Sequence, residues 1–452
     1  MTNISCKNAL RMAAVLLLGA AIHPARAQDA LTNAAPATSS GILPLPDYSG
    51  DFAKRSYLLG DFGGNRTEWA KKGVTFDIDY NQYFQSVTDG GIDRDSEYGG
   101  TLNYNINLDF DRMGLIPGGL LQIRARSRYG NSVNGISGSL IPVNTDATLL
   151  TDSEPDEDIG LWLPGINYTQ FFSEKFALGF GKYDTLDVPN EFASGRGRSQ
   201  WWNQNLNMQT AGPALMMPNV TTAASALYMV DPNLTISSMV GTSTDTSNRS
   251  GFDNFDDGLF AILQVAYQYE LDELPGGLVF LPGYGWDSDF AKINGRLIIE
   301  DGQLKPTTED SSWFASAEFW QYLWVEKGSS KTVDINNNRQ DLQGVGVWSR
   351  IQTADSDTNP IDYAISGGVN ARGLIPGRDN DAMGVAYAYN KLQKARFLEE
   401  VGIADSSSVW EAFYNIELTP ALHWTLDAQV ANSALPNIDT ATILGTSMQM
   451  RF

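Results

Sequence analysis

Residues 102–110 read "LNYNINLDF", and this stretch decides the fold. Every second residue in it is apolar, and the positions between carry asparagine or aspartate. A helix would scatter these apolar side chains around its surface, whereas a strand places them all on one face. The stretch therefore predicts a β-strand with one apolar and one polar face.

The same alternation recurs from residue 73 to the end of the chain, in about 16 segments of roughly ten residues. An even number of such strands is typical of outer-membrane barrels. A rival strand at 296–300 is assigned to a loop. The predicted strands are 73–85, 99–111, 120–130, 160–172, 175–184, 220–230, 233–242, 259–271, 276–290, 312–326, 340–354, 360–374, 380–393, 407–418, 420–432 and 441–452.

Long alternating strands build either a soluble β-sandwich or barrel, or a transmembrane barrel whose apolar faces meet lipid. The polar faces favour the membrane barrel, because an Asn-x-Asn-x-Asn-x-Asp run (103–109) suits a water-filled interior. The connections between the strands also favour the membrane barrel. Short turns alternate with long polar loops, which is the pattern of periplasmic turns and external loops in outer-membrane barrels. The short turns are 115–119 and 418–422, and the long loops are 131–158, 243–258 and 327–339. The last strand closes on Phe452, which looks like the assembly signal of bacterial outer-membrane proteins.

The first residues predict a secretory signal peptide. Lys7 and Arg11 precede an apolar run at 12–22, and an A-x-A signal places the cleavage after Ala27. The apolar run is too short to span a membrane as a helix. Cleavage would also remove Cys6, the single cysteine of the chain, so a disulfide framework is excluded.

The mature chain divides into three parts. Residues 28–56 are rich in Ala, Thr, Ser and Pro and predict a flexible linker. Residues 57–72 predict a short helical segment, with Asn65 as its N-cap. Residues 73–452 form the predicted all-β, transmembrane antiparallel barrel.

Composition and charge exclude several functions. A formal net charge of −22 argues against binding to nucleic acid, whose phosphates need basic patches. His423 is the single histidine after the leader, so a Cys/His metal site is excluded. Catalysis by His423 would need a nucleophile motif, and none is present. No catalytic residue, metal or cofactor is predicted.

The stretch "LLQIRARSRYG" (120–130) places Arg124, Arg126 and Arg128 on one face of a strand. An arginine facing lipid costs roughly 2–4 kcal/mol at the bilayer midplane, so this face is predicted to point into the lumen. The arginines then either form a constriction that filters solutes, or merely keep the pore wet and pair with carboxylates.

Other charged residues on predicted inner faces could oppose these arginines. Facing rows of cations and carboxylates would create a transverse field and many oriented hydrogen-bonding groups. A polyol could exchange its water shell for such groups. The candidate pore-lining residues are Asp77, Asp79, Asp109, Glu318, Glu411 and Asp427, with Arg350 as a further cation.

An aromatic stretch, "SSWFASAEFWQYLWVEK" (311–327), raises a second possibility for sugar contact. Trp320 shares the polar face with Glu318, where its ring could stack on a pyranose. The alternative is the girdle of aromatic residues at the membrane interface, to which Trp324 is assigned.

Four blocks of the chain resemble the carbohydrate-selective outer-membrane porins, the OprB-like family. They are "LLGDFGGNRTEWAKKGVTF" (58–76), "FGKYDTLDVPNEFASGRGRSQWWNQNL" (180–206), "PIDYAISGGVNARGLIPGRDNDAMGVAYAY" (360–389) and "SVWEAFYNIELTPALHWTLDAQV" (408–430). The likeness covers most of the chain from Tyr57 onward. A Met-rich stretch at 204–219 and an insertion at 296–311 depart from the family pattern.

The resemblance implies a 16-stranded barrel with its amino-terminal segment tucked at the periplasmic side. It also implies passive uptake of monosaccharides such as glucose through a narrow part that carries arginines and acidic residues. Arg124, Arg126 and Arg128 would be carried over to this role, with Glu411 and Asp427.

Three hypotheses for the function follow. The first is a sugar-selective diffusion porin of the bacterial outer membrane, and the second is a general or weakly anion-selective porin. The third, a barrel enzyme or structural outer-membrane protein, is disfavoured by the missing catalytic and anchoring motifs. The expected partners are small sugars, outer-membrane lipid and lipopolysaccharide, with a homotrimer as a possible assembly.

Overall fold

A computed structural model describes residues 41–147, 159–185, 192, 198–210, 216–247, 249–300, 303–327, 342–394 and 402–452. Sixteen strands close into a single antiparallel barrel, which confirms the predicted fold class. The predicted signal peptide and most of the predicted linker lie outside the described residues. Within the described ranges, no helix is both long enough and apolar enough to cross a membrane.

The barrel strands follow one another around the ring in chain order. Each predicted strand corresponds to one of them, with ends that differ by a few residues. The strands are β1 (Val74–Gly91), β2 (Ser96–Asp109), β3 (Gly119–Gly130), β4 (Ile159–Ser173), β5 (Phe176–Asp184), β6 (Val220–Asp231), β7 (Leu234–Thr242), β8 (Leu259–Leu271), β9 (Leu274–Ala291), β12 (Thr308–Val325), β13 (Gly344–Ala354), β14 (Ile361–Arg372), β15 (Ala382–Leu392), β16 (Ser406–Thr419), β17 (Leu422–Asn432) and β18 (Asp439–Arg451).

Two further strands form a hairpin in the connection between β9 and β12. They are β10 (Leu297–Glu300) and β11 (Gln303–Pro306), which pair with each other in a separate two-stranded sheet. The rival segment at 296–300 is therefore a strand, although it takes no place in the barrel. Its assignment to a loop is wrong at the level of local structure.

Alternation along the strands separates the two faces of the barrel. On β1, Asn81 and Gln85 are 1% and 0% exposed, whereas Phe84 between them is 46% exposed. The same pattern places Trp313 and Leu323 of β12 on the outer face. The outward face of the strands is thus apolar, as a membrane barrel requires, and the polar side chains are concentrated on the inward face.

The first and last strands meet where the barrel closes. β18 pairs with β1, and the backbone N–H of Phe452 donates to the carbonyl of Ile78 at 2.8 Å. A short helix, α1 (Asn65–Lys71), precedes β1 at this end of the barrel. The predicted N-cap is wrong, because Asn65 is the first helical residue and Gly64, with φ of 97°, occupies the cap.

One predicted external loop is assigned to the wrong end. β12 and β13 are the tenth and eleventh barrel strands, so the connection between them starts at the same end as the 110–118 turn and Phe452. The 327–339 stretch therefore cannot belong with the loops at 131–158 and 243–258. Residues 328–341 lie outside the described residues.

Two connections at the opposite end fold back into the barrel. The β3–β4 connection carries a 3-10 helix (Val133–Gly135), and the β5–β6 connection carries α2 (Gln204–Asn207). We call residues 198–210 the inner segment. Trp201, Trp202 and Leu206 in it are 0% exposed, so the lumen is largely filled on one side.

Two apolar clusters line the filled part of the lumen. One joins Trp201 and Leu206 of the inner segment to inward side chains of β12–β18. The other joins Met216 and Met217 to the inner faces of β5–β9 and β12. The Met-rich stretch that departs from the family pattern therefore supplies packing inside the barrel.

Candidate functional site

The arginine ladder lies on the inner face of β3, next to β2. Arg126 donates from Nε to Oδ1 of Asn103 at 2.6 Å, and its Nη2 lies 3.3 Å from Oδ2 of Asp184. Its guanidinium carbon lies 5.6 Å from the centre of the Trp162 ring. These contacts fix Arg126 in one position on the wall. Arg124 is half-buried, whereas Arg126 and Arg128 are 7% and 5% exposed.

A buried aspartate on the β3–β4 connection forms the second part of this network. Asp146 accepts hydrogen bonds from Asn81 (2.9 Å), Thr101 (2.5 Å) and Nε of Arg198 (2.8 Å). Burial by itself raises the pKa of this carboxyl, but Arg198 and Arg126 outweigh that effect and hold the pKa below its ordinary value. Asp146 is therefore a fixed negative charge among arginines.

Asn103 joins the ladder to the inner segment. Its Oδ1 accepts from Nε of Arg126 at 2.6 Å and from Nη2 of Arg198 at 3.1 Å. The register of the sheet places Asn103 opposite Arg126, so the strand pairing itself sets this contact. Arg198 thus becomes an additional cation beside the ladder.

A second polar group lies further along the same wall. Asp79 accepts from Nε of Arg451 at 3.2 Å and lies 3.4 Å from Nδ2 of Asn105. The register places Asn105 opposite Asp77 on β1 and Arg124 on β3, whereas Asp79 is opposite Asn103. Half-buried polar side chains from three adjacent strands therefore form a continuous surface here.

The inner-face carboxylate of Glu411 on β16 holds backbone of the inner segment, and the inner-face carboxylate of Asp427 on β17 binds a neighbouring side chain. Glu411 accepts from the N–H groups of Trp202 (2.5 Å) and Asn203 (3.0 Å), one on each carboxylate oxygen. Asp427 accepts from Nε2 of Gln429 at 2.9 Å. Both carboxyl groups are buried beneath the inner segment.

Among the predicted residues of β12 and β13, Arg350 also contacts backbone of the inner segment. Arg350, 0% exposed, donates from Nε to Glu318 at 2.8 Å and from Nη1 to the carbonyl of Met208 at 2.7 Å. Trp320 is 8% exposed and meets Phe192 edge-on, with 6.1 Å between the ring centres. Trp324 points outward because a register shift follows Tyr322, and it is 47% exposed.

Two predicted aspartates lie at the end of the barrel where β1 begins and β18 ends. Asp77 accepts from Nη2 of Arg66 on α1 at 2.8 Å. Asp109 accepts from the backbone N–H groups of Ile42 (2.7 Å) and Leu43 (3.0 Å). These two carboxylates tether the amino-terminal segment, away from the network of Asp146.

The structure therefore divides the predicted site residues into three groups. The ladder and Asp79 share one wall, Glu318, Arg350, Glu411 and Asp427 lie under the inner segment, and Asp77 and Asp109 hold the amino-terminal segment. The residues missed from the sequence are Asp146, Asp184 and Arg198. Arg198 belongs to a block without alternation, where it stands three residues before the aromatic pair Trp201 and Trp202, and that was the one available signal.

His423 is held by the barrel wall. Its Nδ1 lies 3.0 Å from Oδ1 of Asn415, and its Nε2 lies 3.9 Å from Glu417. Across the part of the chain that the structure describes, no group of three or more His, Cys, Asp or Glu side chains could hold a metal ion.

These features define a class of protein. A closed barrel of sixteen strands has an apolar outer surface and a charged inner wall, and its connections fold into the lumen. That combination is the architecture of a porin.

The family follows from sequence comparison. The profile of the carbohydrate-selective porin family, OprB, matches residues 93–452, and the chain belongs to this family. It is therefore a porin of the bacterial outer membrane. A search of curated proteins found no match.

Solved structures support the fold. The high-pH structure of Pseudomonas putida OprB matches with a TM-score of 0.73 at 16% identity, over 89% of this chain and 100% of that one. The low-pH structure of the same protein matches with a TM-score of 0.55 at 16% identity, over 88% and 99% of the two chains.

Proposed function

We propose that the chain mediates passive diffusion of monosaccharides such as glucose, through a constriction lined by arginines and carboxylates. The observation that carries this proposal is the meeting of Arg126 and Arg198 on Asn103, beside Asp146. This arrangement provides fixed cations and a fixed anion on one inner wall.

A charged wall of this kind suits a neutral polyol. A sugar gives up part of its hydration shell on entering a narrow pore, and oriented donors and acceptors can replace the lost hydrogen bonds. Because arginine is permanently protonated and its donors are arranged in a planar fork, the ladder keeps its donors at any physiological pH. Arg128 extends the same row of cations toward the end of β3.

We assign the direct sugar contact to the least buried part of the wall. Arg124 and Asp79 are half-buried, and Asn105 is opposite Arg124 in the register with its Nδ2 3.4 Å from Oδ2 of Asp79. Arg126 and Arg128 are more deeply packed, so their contribution is to the field and to the shape of the wall. Glu318, Arg350, Glu411 and Asp427 oppose them from beneath the inner segment.

The alternative is a general or weakly anion-selective porin. The row of three arginines favours it, because a net positive wall concentrates anions. Asp146, Asp184 and Asp79 oppose it, because each places a carboxylate against an arginine of the same wall. A homotrimer and contacts with lipopolysaccharide stay predictions, which cross-linking in native membranes would test.

The proposal is tested by sugar block of single channels in planar bilayers. We expect wild-type current to be partly blocked by glucose or a related monosaccharide. Arg124→Ala should raise the half-blocking concentration about tenfold, the effect of losing one charge-assisted hydrogen bond. Arg94→Ala is the matched control, because Arg94 is an exposed arginine that pairs with Asp89 outside the ladder.

Two results would contradict the proposal. If no monosaccharide blocks the wild-type channel while small anions pass freely, the chain is a general or anion-selective porin. Equal sugar block in Arg124→Ala and Arg94→Ala would show that the ladder lies away from the sugar path.

A further inference from the structure

The inner segment is held by strands on the far side of the barrel from the ladder. Both oxygens of Glu411 are used, each by one of two consecutive backbone N–H groups. Two bonds from neighbouring amides to one carboxylate fix the orientation of the backbone as well as its position. Asn203 is further held by Oε1 of Gln429, at 3.0 Å from its Nδ2.

The other end of the inner segment has its own anchors. Arg350 donates to the carbonyl of Met208 at 2.7 Å, and the N–H of Thr210 donates to Oε1 of Gln352 at 2.8 Å. Both anchoring side chains belong to β13. The segment is thus fixed at two points by side chains that the sequence pattern assigns to the pore.

The barrel wall is shaped to receive the two tryptophans. A Cβ atom on Gly384 would lie 2.6 Å from the Trp201 ring, and one on Gly445 would lie 2.6 Å from the Trp202 ring. Both distances are closer than carbon atoms approach without displacement. Only glycine at these wall positions leaves room for the tryptophan rings.

The start of the inner segment carries the group that meets the ladder. Arg198 stands four residues before Trp202, so its backbone lies within about 14 Å of the Glu411 clamp. Its side chain reaches Asp146 at 2.8 Å and Asn103 at 3.1 Å. A shift of the clamped backbone would therefore be transmitted directly to the Arg198 contacts.

We propose that Glu411 is a positioning residue for the sugar path, because it clamps Trp202 and Asn203 and thereby holds Arg198 against Asp146 and Asn103. This inference rests on the proposed function, and it gives Glu411 a role distinct from contact with the sugar. Selectivity would then depend on a carboxylate of β16, which is five strands away from β3 around the ring.

The test compares single-channel sugar block in four single variants and one double variant. Glu411→Ala removes the clamp, Glu411→Gln keeps one acceptor oxygen without a charge, and Arg198→Ala removes the group that the clamp positions. Glu270→Ala is the matched control, because Glu270 is exposed at the end of β8. Barrel assembly is checked in each variant by heat-modifiable migration on gels.

We expect Glu411→Ala to raise the half-blocking sugar concentration about tenfold, with a smaller rise for Glu411→Gln and none for Glu270→Ala. The double variant Glu411→Ala/Arg198→Ala should be no worse than Arg198→Ala, because both changes act through one contact. A general loss of packing would not produce this lack of additivity.

The inference fails if assembled Glu411→Ala or Glu411→Gln channels show wild-type sugar block. It also fails if the effects of Glu411→Ala and Arg198→Ala multiply in the double variant. Failure of the proposed function is a separate result, because it appears as the absence of sugar block in the wild-type channel itself.

Discussion

The two inner walls of the barrel hold their charges in different ways. On the wall formed by β1–β5, arginines meet carboxylates and amides through side chains, as Arg126 meets Asn103 and Asp184. On the wall formed by β12–β18, charged side chains reach backbone of the inner segment, as Glu411 and Arg350 do. We call these the ladder wall and the anchor wall.

This difference separates two roles that look identical in a sequence. A polar residue on an inner face can border the solute path or can fix a loop inside the barrel. On the ladder wall Arg124 and Asp79 remain half-buried, whereas Glu411 and Arg350 on the anchor wall are 1% and 0% exposed. We therefore expect changes at fully buried contacts to cost stability, with the anchor wall acting on conduction through the inner segment. Changes at Arg124 and Asp79 should alter conduction directly.

The largest effect is expected from Arg350→Leu on the anchor wall. This change takes the arginine from the buried carboxylate of Glu318 and from the carbonyl of Met208. Removing one partner of a buried ion pair lowers the free energy of unfolding by about 3–5 kcal/mol. Thermal unfolding of the purified barrel in detergent would measure the loss.

The double variant Arg350→Leu/Glu318→Leu serves as the control for that cost. Replacing both members of a buried pair by apolar residues is often nearly neutral, because no charge is left in the low-dielectric interior. We expect the double variant to regain most of the lost stability. A double variant as unstable as Arg350→Leu would show that the pair itself is not the source of the cost.

A smaller effect is expected from Asp146→Asn on the ladder wall. The change removes the charge from the hydrogen bonds with Arg198 and Thr101. We expect the free energy of unfolding to fall by about 1.5–3 kcal/mol at neutral pH. The pKa of Asp146 is lowered from 3.8 in the folded protein. Its stabilising contribution is therefore present above pH 3.8 and is lost as the pH falls through the lowered pKa.

The comparison of wild type with Asp146→Asn isolates this contribution from other groups that titrate. We expect the difference in unfolding temperature to stay constant from pH 7 to pH 5 and to close below pH 3.8. A difference that closes between pH 7 and pH 5 would contradict the assignment of a lowered pKa to Asp146.

The strands could be predicted from sequence because their signal is local. Period-two alternation depends on neighbouring residues alone, so both the strands and the inward direction of the arginines follow from it. One exception is Trp324, which lies on the inner face by parity but points outward after a register shift near Tyr322. A bulge of this kind leaves no mark in the alternation itself.

The contents of the lumen could not be predicted in the same way. The contact of Glu411 with Trp202 joins residues 209 positions apart, and alternation says nothing about what lies against an inner face. Arg198 and Asp146 come from connections, where no period applies. The sequence therefore identifies candidates for the inner wall without separating the ladder wall from the anchor wall.

The smallest effect is expected from Trp320→Phe, which tests whether an aromatic ring on the anchor wall contacts sugar. The Trp320 ring packs against Phe192 and covers Gly277, where a Cβ would lie 2.3 Å from its Nε1. A phenylalanine keeps the edge-on contact with Phe192, so the loss of stability should be about 1 kcal/mol. The half-blocking sugar concentration should stay within about twofold of wild type, since a shift of 0.4 kcal/mol corresponds to a factor of two.

The outer-face variant Trp324→Phe is the control for this prediction, with an expected stability change within about 0.5 kcal/mol. A tenfold loss of sugar block in Trp320→Phe alone would place a sugar-stacking ring on the anchor wall, and the division between the two walls would then fail at this position.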